Sequence, residues 1–221
     1  MSRYKVLIFD WDGTLADSAG MIVRAMQRAI IGLKLPRRSD QQIAELIGLG
    51  LNEALVRLYP EFDLDKLRGL LDSYRAQWLS EGAGEADLFT GALDALRVLH
   101  ERGHRIAIAT GKSRRGLDRS LRHHRHVADL IVTSRCADET ASKPDPLMLR
   151  EIVAELSVDP AEALMIGDTD YDVTMAKSLG MPALGVTCGV HNAVRLEAAG
   201  AQDLLPSVAA VPAWILGQGR A

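Results

Sequence analysis

Two aspartates separated by one residue follow the first apolar run of the chain. The stretch VLIFDWDGTLADS, residues 6–18, places Asp10 and Asp12 directly after four apolar residues. Carboxylates beside a buried strand are costly, because a charge that leaves water loses its hydration. Asp12-Gly13 alone is a common turn dipeptide, so the stretch is either a turn or part of a catalytic site.

Other residues suited to chemistry stand at the ends of later apolar runs. Thr110 and Gly111 end the run RIAIAT, Asp168 and Asp172 follow the run ALMIG, and Lys143 precedes a helical pattern in ASKPDP. In an open α/β sheet, ligands bind beyond the carboxyl ends of the strands. We therefore expect these residues to meet the first aspartate pair at one edge of a sheet.

Three aspartates gathered at one place need a compensating cation. Two like charges about 4 Å apart repel by roughly 4 kcal/mol at an effective dielectric constant near 20. Oxygen ligands without histidine or cysteine favour a hard ion, so the sequence predicts Mg²⁺ at Asp10, Asp168 and Asp172, with Lys143 as a further positive charge. Such a site suits a phosphoryl group. Asp10, with an ordinary pKa of about 3.9, could act as nucleophile and Asp12 as general acid and base.

The elements that must position these residues are short apolar strands alternating with helices. Near-continuous apolar runs suit strands that are covered on both faces, as in a parallel sheet. Helical patterns separate them, such as DALRVLHERG and DPLMLREIVAEL. The pattern predicts an α/β fold with a doubly wound, Rossmann-like parallel sheet. The predicted strands are KVLIF (5–9), RIAIAT (105–110), DLIVT (129–133), ALMIG (163–167) and PALGVT (182–187).

One long segment breaks this alternation and predicts an all-helical insertion. No convincing strand occurs between about residues 18 and 84, and the spacing of apolar residues indicates several helices. The small, polar linker SEGAGEAD (80–87) and residues 15–19 are the expected hinges. The domain prediction is an α/β core at 1–16 and 85–221 and a helical cap at 17–84. Helices are expected at 41–47, 52–59 and 64–79, and one more along the face Met21, Ile22, Ala25, Met26, Ala29 and Ile30.

Together, four motifs resemble those of the haloacid dehalogenase superfamily, in its phosphatase branch. They are DWDGT (10–14), Thr110 in IAIATGKS, Lys143 in SKPDP and GDTDYD (167–172), and their order is that of the superfamily. The insertion after the first motif resembles the mobile cap of the branch that includes phosphoglycolate phosphatases. The resemblance implies an enzyme that uses Mg²⁺ to hydrolyse a small phosphorylated metabolite.

The resemblance also implies a role for each motif residue. Asp10 would be the nucleophile and a metal ligand, and Asp12 the acid and base, with its backbone carbonyl on the metal. Asp168 would bind the metal, and Asp172 would bind it directly or support it from behind. The phosphoryl group would be bound by Thr110, Lys143 and the backbone N–H of Gly111.

The Gly-punctuated junction LIGLGLNEAL (46–55) lies within the predicted cap. A break between two helices explains it adequately. The resemblance makes it the loop that closes over the site and contacts the leaving group, with Gly48, Leu49, Gly50 and Glu53 as substrate-specificity residues.

Relatives with other chemistry are distinguished by single residues. Family dehalogenases lack the second aspartate of the first motif, phosphonate hydrolases carry alanine in place of Asp12, and sugar phosphomutases usually carry a cap histidine that residues 17–28 lack. Simple hydrolysis is favoured, with phosphoglycolate as the first substrate candidate. A sugar phosphate, pyrophosphate or a non-catalytic phosphometabolite sensor remain alternatives.

Composition narrows the partners and the compartment. The net charge of −3 gives no reason to expect nucleic acid or a membrane surface as a partner. Only Cys136 and Cys188 occur, without a disulfide framework or a zinc-ligand spacing, which predicts a cytoplasmic protein. The basic stretch RSLRHHRH (119–126) is better explained as a solvated helix face than as a substrate-steering patch. The sequence does not indicate an oligomeric state.

Overall fold

Six parallel strands form one sheet at the centre of the computed structural model, which describes residues 3–80 and 85–218. The strand order is β3-β2-β1-β4-β5-β6, and each neighbouring pair is parallel. The predicted doubly wound sheet is confirmed. The strands are β1 Val6–Phe9, β2 Arg105–Thr110, β3 Ile131–Cys136, β4 Ala163–Gly167, β5 Ala183–Val186 and β6 Asp203–Leu205.

The segment after β1 is helical, as predicted. It contains α1 Ala19–Gly32, α2 Asp40–Ala44, α3 Leu51–Leu58 and α4 Leu64–Ser80, and residues 18–80 include no strand. These helices share their own apolar cluster, built around Met26, Ile30, Leu55, Tyr59 and Leu70. Four of the six residues expected on one face of α1 are buried, namely Ala25, Met26, Ala29 and Ile30.

The remaining helices cover the two faces of the sheet. Because strand side chains alternate in direction, Leu7 and Phe9 belong to one core cluster and Val6 and Ile8 to another. The first cluster receives side chains from α5 Ala92–Glu101, α6 Arg114–His123, α7 Arg125–Ala128 and α11 Val211–Gln218. The second receives them from α8 Leu147–Glu155, α9 Asp170–Ser178 and α10 Ala193–Ala199.

The two connections between the helical segment and the sheet run side by side. Ala16 forms an antiparallel bridge with Leu88, and the Asp17 N–H donates to the Asp87 carbonyl at 2.9 Å. Residues 81–84 of the expected second hinge lie outside the described residues.

The structure differs from the predicted strands at the edges of the sheet. Strand β6 was not predicted, and β3 begins at Ile131 because residues 129–130 still belong to the turn after α7. Trp11 is 1 % exposed and packs in the first core cluster, so it belongs to the core. In the described ranges no helix combines the length and the apolar character that a membrane span requires.

Candidate active site

The first strand delivers Asp10 to the carboxyl edge of the sheet. The Asp10 N–H donates to the Ile166 carbonyl at 2.9 Å, which extends the pairing of β1 with β4 by one residue. The chain then turns, because the Trp11 carbonyl accepts the N–H groups of Leu15 at 3.0 Å and Ala16 at 2.9 Å. The turn interpretation of Asp12-Gly13 is therefore correct as geometry, and it directs Asp10 inward.

Three buried carboxylates and one ammonium meet beyond β1 and β4. Asp10, Asp168 and Asp172 each offer an oxygen within 4.8 Å of the others, and none is more than 1 % exposed. Lys143 Nζ lies 2.6 Å from Oδ1 of Asp10 and 2.6 Å from Oδ1 of Asp172. The fold thus brings Asp10 to residues that lie at least 133 positions later in the chain, as the sequence predicted.

This cluster perturbs the ionisation of its members. Burial raises the pKa of Asp10 well above its usual value, although the charge of Lys143 opposes the shift. Burial, together with the charge of Asp172, raises the pKa of Asp168 to about 7. Burial alone would lower the pKa of Lys143, but the charges of Asp10 and Asp172 outweigh it, and this pKa lies above its ordinary value. The expected ordinary pKa of Asp10 is therefore wrong for the metal-free site, because full burial was not visible in the sequence.

The cluster fits a hard divalent cation. Oδ2 of Asp10 is buried and makes no hydrogen bond within the described part of the chain, and Oδ1 of Asp172 has Nζ of Lys143, at 2.6 Å, as its contact. Buried carboxylate oxygens are normally hydrogen-bonded or bound to a cation. An all-oxygen donor set of this kind is typical of a Mg²⁺ site.

Asp168 is held in a narrow cradle. Its Oδ1 accepts from the Thr14 hydroxyl at 2.8 Å, and its Oδ2 accepts from the Val190 N–H at 2.9 Å. A Cβ on Gly13 would lie 2.3 Å from Oδ2 of Asp168, and one on Gly189 would lie 2.1 Å away. Gly13 also has φ +84°, a conformation that favours glycine. The D-G-T part of the first motif therefore shapes the pocket for the fourth.

Asp172 has two structural tasks. Thr169 caps α9, and Oδ2 of Asp172 accepts from both the hydroxyl of Thr169 at 2.7 Å and its N–H at 3.1 Å. This reciprocal capping box fixes the carboxylate at the start of the helix. Its other oxygen lies 2.6 Å from Nζ of Lys143. Asp172 therefore completes the capping box of α9 and also belongs to the carboxylate cluster.

Asp12 stands apart from the three clustered carboxylates. Its Oδ1 accepts from the Ser18 hydroxyl at 2.6 Å and lies 2.9 Å from Nζ of Lys112. Asp12 is 8 % exposed, whereas the three clustered carboxylates are at most 1 % exposed. Asp12 is thus held by Ser18 and Lys112 apart from the cluster, and its expected roles, as acid and base and as a metal ligand through its backbone carbonyl, stay predictions.

The second motif lies directly beneath the predicted cap loop. Thr110 is fully buried at the end of β2, and its hydroxyl accepts from the Lys112 N–H at 3.2 Å. A Cβ on Gly111 would lie 2.5 Å from the carbonyl oxygens of both Gly48 and Leu49. Only glycine allows this approach of the two backbones.

The loop between α2 and α3 makes further contacts with the core. The Gly50 N–H donates to the Ser142 hydroxyl at 2.8 Å, and Gly48 approaches Thr169. The Glu45 carbonyl accepts from the Tyr171 hydroxyl at 3.0 Å and from Nε2 of His191 at 3.3 Å. Gly48, Leu49 and Gly50 therefore lie beside the motif residues, as expected of a cap loop.

Glu53 is not brought to the site by any contact of its side chain. Its carboxylate pairs with Arg57 on the same helix at 2.8 Å and is 43 % exposed. The expectation that Glu53 contacts the leaving group has no support in this arrangement, because the first turn of α3 directs its side chain along the helix surface.

Sequence reasoning missed the residues that hold the motif side chains in place. Thr14, Ser18 and Lys112 all contact motif aspartates. Thr14 belongs to the DWDGT motif but was given no role, and the single hydroxyl of Ser18 and the single ammonium of Lys112 carry no spacing signal. Thr169 could have been found, because T-x-x-D at the start of a helix is a capping pattern.

The sequence of this chain is similar to those of known proteins over most of its length. The family profile described as haloacid dehalogenase-like hydrolase matches residues 7–186. A protein of Dickeya dadantii named as the probable phosphatase IndB is 32 % identical, over 93 % of this chain and 91 % of its own length. A phosphoglycolate phosphatase of Rhodospirillum rubrum is 27 % identical, over 96 % of this chain and 90 % of its own length.

A solved structure supports the same relationship. A protein from Bacteroides fragilis described as a haloacid dehalogenase-like hydrolase superposes with a TM-score of 0.87 and is 29 % identical. The match covers 94 % of this chain and 99 % of that one. The likeness therefore extends over the sheet and the helical segment together.

Proposed function

Since the chain belongs to the haloacid dehalogenase-like hydrolase family, we propose that it is a Mg²⁺-dependent phosphatase of small phosphomonoesters. The observation that carries this proposal is the buried cluster of Asp10, Asp168 and Asp172, in which Lys143 pairs with Asp10 and Asp172. Thr110 ends β2, the strand that pairs with β1 beside Asp10. A phosphoryl group is an anion with several oxygens, and such a site offers it a cation, an ammonium and hydroxyl or N–H donors.

Mg²⁺ would be held by Asp10, Asp168, the backbone carbonyl of Asp12, and Asp172 directly or through its neighbours. When bound, such an ion neutralises phosphoryl oxygens and favours the ionised form of nearby carboxylates. Lys143, Thr110 and the Gly111 N–H would orient the phosphoryl group.

The protein side chains divide the reaction into two steps. The carboxylate of Asp10 attacks phosphorus and forms an aspartyl phosphate, while the bond from phosphorus to the leaving oxygen breaks and Asp12 protonates that oxygen. Asp12 then removes a proton from a water molecule, which attacks phosphorus and releases phosphate and the Asp10 carboxylate. The Ser18 hydroxyl would hold Asp12 for both proton transfers.

We propose the helical segment 17–84 as a cap on the core formed by 1–16 and 85–221. The segment has its own apolar cluster, and it approaches the motifs through Gly48, Leu49 and Gly50. Such a cap would exclude water until the substrate is in place. Phosphoglycolate is the first substrate candidate, since relatives over most of the chain carry that name.

The test is phosphate release from p-nitrophenyl phosphate with and without Mg²⁺. Asp10→Asn is expected to abolish activity, because an amide is a poor nucleophile. Asp65→Asn is the matched control, since the side chain of Asp65 is 94 % exposed on α4. Undiminished activity of Asp10→Asn would overturn the mechanism. A wild-type protein inactive on every phosphoester would favour a phosphate-binding sensor instead.

A further inference from the structure

A second lysine, Lys112, lies at the candidate site two residues after Thr110, and the family resemblance assigns it no role. Lys112 Nζ is 2.9 Å from Oδ1 of Asp12, and the lysine side chain is 11 % exposed. On its other side lies the ring of Trp78 from α4, whose centroid is 5.4 Å from Nζ. Lys112 therefore stands between the core and the helical segment.

The ammonium of Lys112 has N–H donors that can bind an anion besides Asp12. Lys143 already serves Asp10 and Asp172, and a divalent ion would balance the remaining charge of that cluster. An ammonium has three N–H donors, and in residues 3–80 and 85–218 Asp12 is the only carboxylate paired with Lys112. Asp12 is also held by the Ser18 hydroxyl, so it stays anchored if the ammonium binds a second anion.

The position of Lys112 relative to Asp12 defines which part of a substrate it would meet. A general acid must come within about 3 Å of the leaving oxygen. Lys112 Nζ is in contact with this acid, whereas Lys143 lies on the side of the clustered carboxylates. A leaving alcohol protonated by Asp12 would therefore come close to the Lys112 ammonium, which also lies 5.4 Å from the centroid of the Trp78 ring.

We propose that Lys112 is a specificity-determining residue that binds an anionic group carried by the leaving alcohol close to the ester oxygen. This inference rests on the proposed phosphatase function and narrows its substrate class. It favours phosphoesters of small hydroxy acids over esters of neutral alcohols. Pyrophosphate, whose leaving group is a phosphate, would also bring an anionic leaving group to Lys112.

The experiment compares kcat/KM for two esters of similar size, phosphoglycolate and 2-hydroxyethyl phosphate, with pyrophosphate as a third substrate. Lys112→Met is expected to lose about 10- to 100-fold on phosphoglycolate, the range of a hydrogen bond to a charged group. The loss on 2-hydroxyethyl phosphate should be no more than about threefold. Lys112→Arg should retain most of the preference, because it keeps the charge.

The pyrophosphate rates separate the two sources of negative charge. A larger loss on phosphoglycolate than on pyrophosphate supports a carboxylate as the preferred group, and the reverse supports a phosphate. Both results support an anion subsite. Lys66→Met, on the exposed surface of α4, is the matched control and should leave all three rates unchanged.

An equal loss on all substrates would overturn the proposal, because Lys112 would then act only by positioning Asp12. No loss on any substrate would overturn it as well. Calorimetric binding of the two esters to Asp10→Asn, with and without Lys112→Met, makes the same comparison without turnover. If Lys112→Met weakens the binding of phosphoglycolate but not of 2-hydroxyethyl phosphate, the subsite is supported even if the protein hydrolyses neither ester. The binding experiment thus tests the subsite, and the hydrolysis experiment tests the proposed function.

Discussion

The stability of the metal-free protein should fall as pH rises through neutrality, because Asp168 is buried in the folded state. Burial and the charge of Asp172 raise the pKa of Asp168 to about 7, whereas an aspartate in an unfolded chain has a pKa of about 3.9. The folded state therefore holds a proton that the unfolded state has lost. The stability linked to this proton is present at low pH and is lost as pH rises through about 7.

The size of the effect follows from the two pKa values. Between pH 6 and pH 8, Asp168 should lower the free energy of unfolding by roughly 1 kcal/mol. His104 and His191 contribute with the opposite sign, because burial lowers the pKa of both. Burial also raises the pKa of Asp10, and the charge of Asp168 adds to that shift. Asp168→Asn therefore removes the contribution of Asp168 and reduces that of Asp10, which has the same sign, while the histidines stay.

The assay is urea unfolding at both pH values, in EDTA and in Mg²⁺. In EDTA, the wild type should lose roughly 1 kcal/mol more stability than Asp168→Asn between pH 6 and pH 8. At pH 8, Mg²⁺ at 100 times its dissociation constant should stabilise the wild type by about 2.7 kcal/mol. Equal pH dependence of the two proteins in EDTA would contradict the raised pKa of Asp168, and a wild-type unfolding midpoint that Mg²⁺ leaves unchanged would contradict the metal site.

Two glycine substitutions test the pocket and the cap contact. Gly13→Ala should raise the Mg²⁺ concentration needed for half-maximal activity and reduce the rate at least tenfold, because its Cβ would lie 2.3 Å from Asp168 at a φ of +84°. Gly111→Ala should displace the loop at Gly48, whose carbonyl oxygen would lie 2.5 Å from the new Cβ; faster proteolysis of the helical segment and a lower kcat would show it. Gly32→Ala, with no atom within 4 Å of its Cβ, is the control for both, and wild-type behaviour of either variant would contradict the contact concerned.

The fold was largely predictable because the strands are short, apolar and covered on both sides. All four residues of β1 are fully buried, and such a run can be recognised without alternation. Strand β6 was missed because Asp203–Leu205 has three residues at the edge of the sheet and contains no β-branched side chain. The strand forms because it pairs with β5, while its own sequence has no strand pattern.

The candidate site was predictable to the extent that its residues form patterned motifs. The resemblance drawn from four motifs is confirmed by the family match over residues 7–186. Lys112 and Ser18 carry no such pattern, and only the turn after β1 and the end of β2 bring them to Asp12. The roles assigned to the motif residues stay predictions until the variants are measured.

The contacts between the helical segment and the core explain why a cap here could open as well as close. The Gly50 N–H to Ser142, Tyr171 to the Glu45 carbonyl and His191 to the same carbonyl are three hydrogen bonds, each with a net contribution of about 0.5–1.5 kcal/mol. Each involves a backbone group of the loop, so no side-chain pattern could have predicted them.

The main apolar cluster of the helical segment is built from that segment's own residues, whereas Met21 of α1 packs against the first core cluster of the sheet. The closed arrangement is therefore held by these three hydrogen bonds and by local contacts of Met21, Arg57 and Trp78 with the core. A cap that substrate binding closes and product release opens would have to make and break these contacts while it keeps its own apolar cluster.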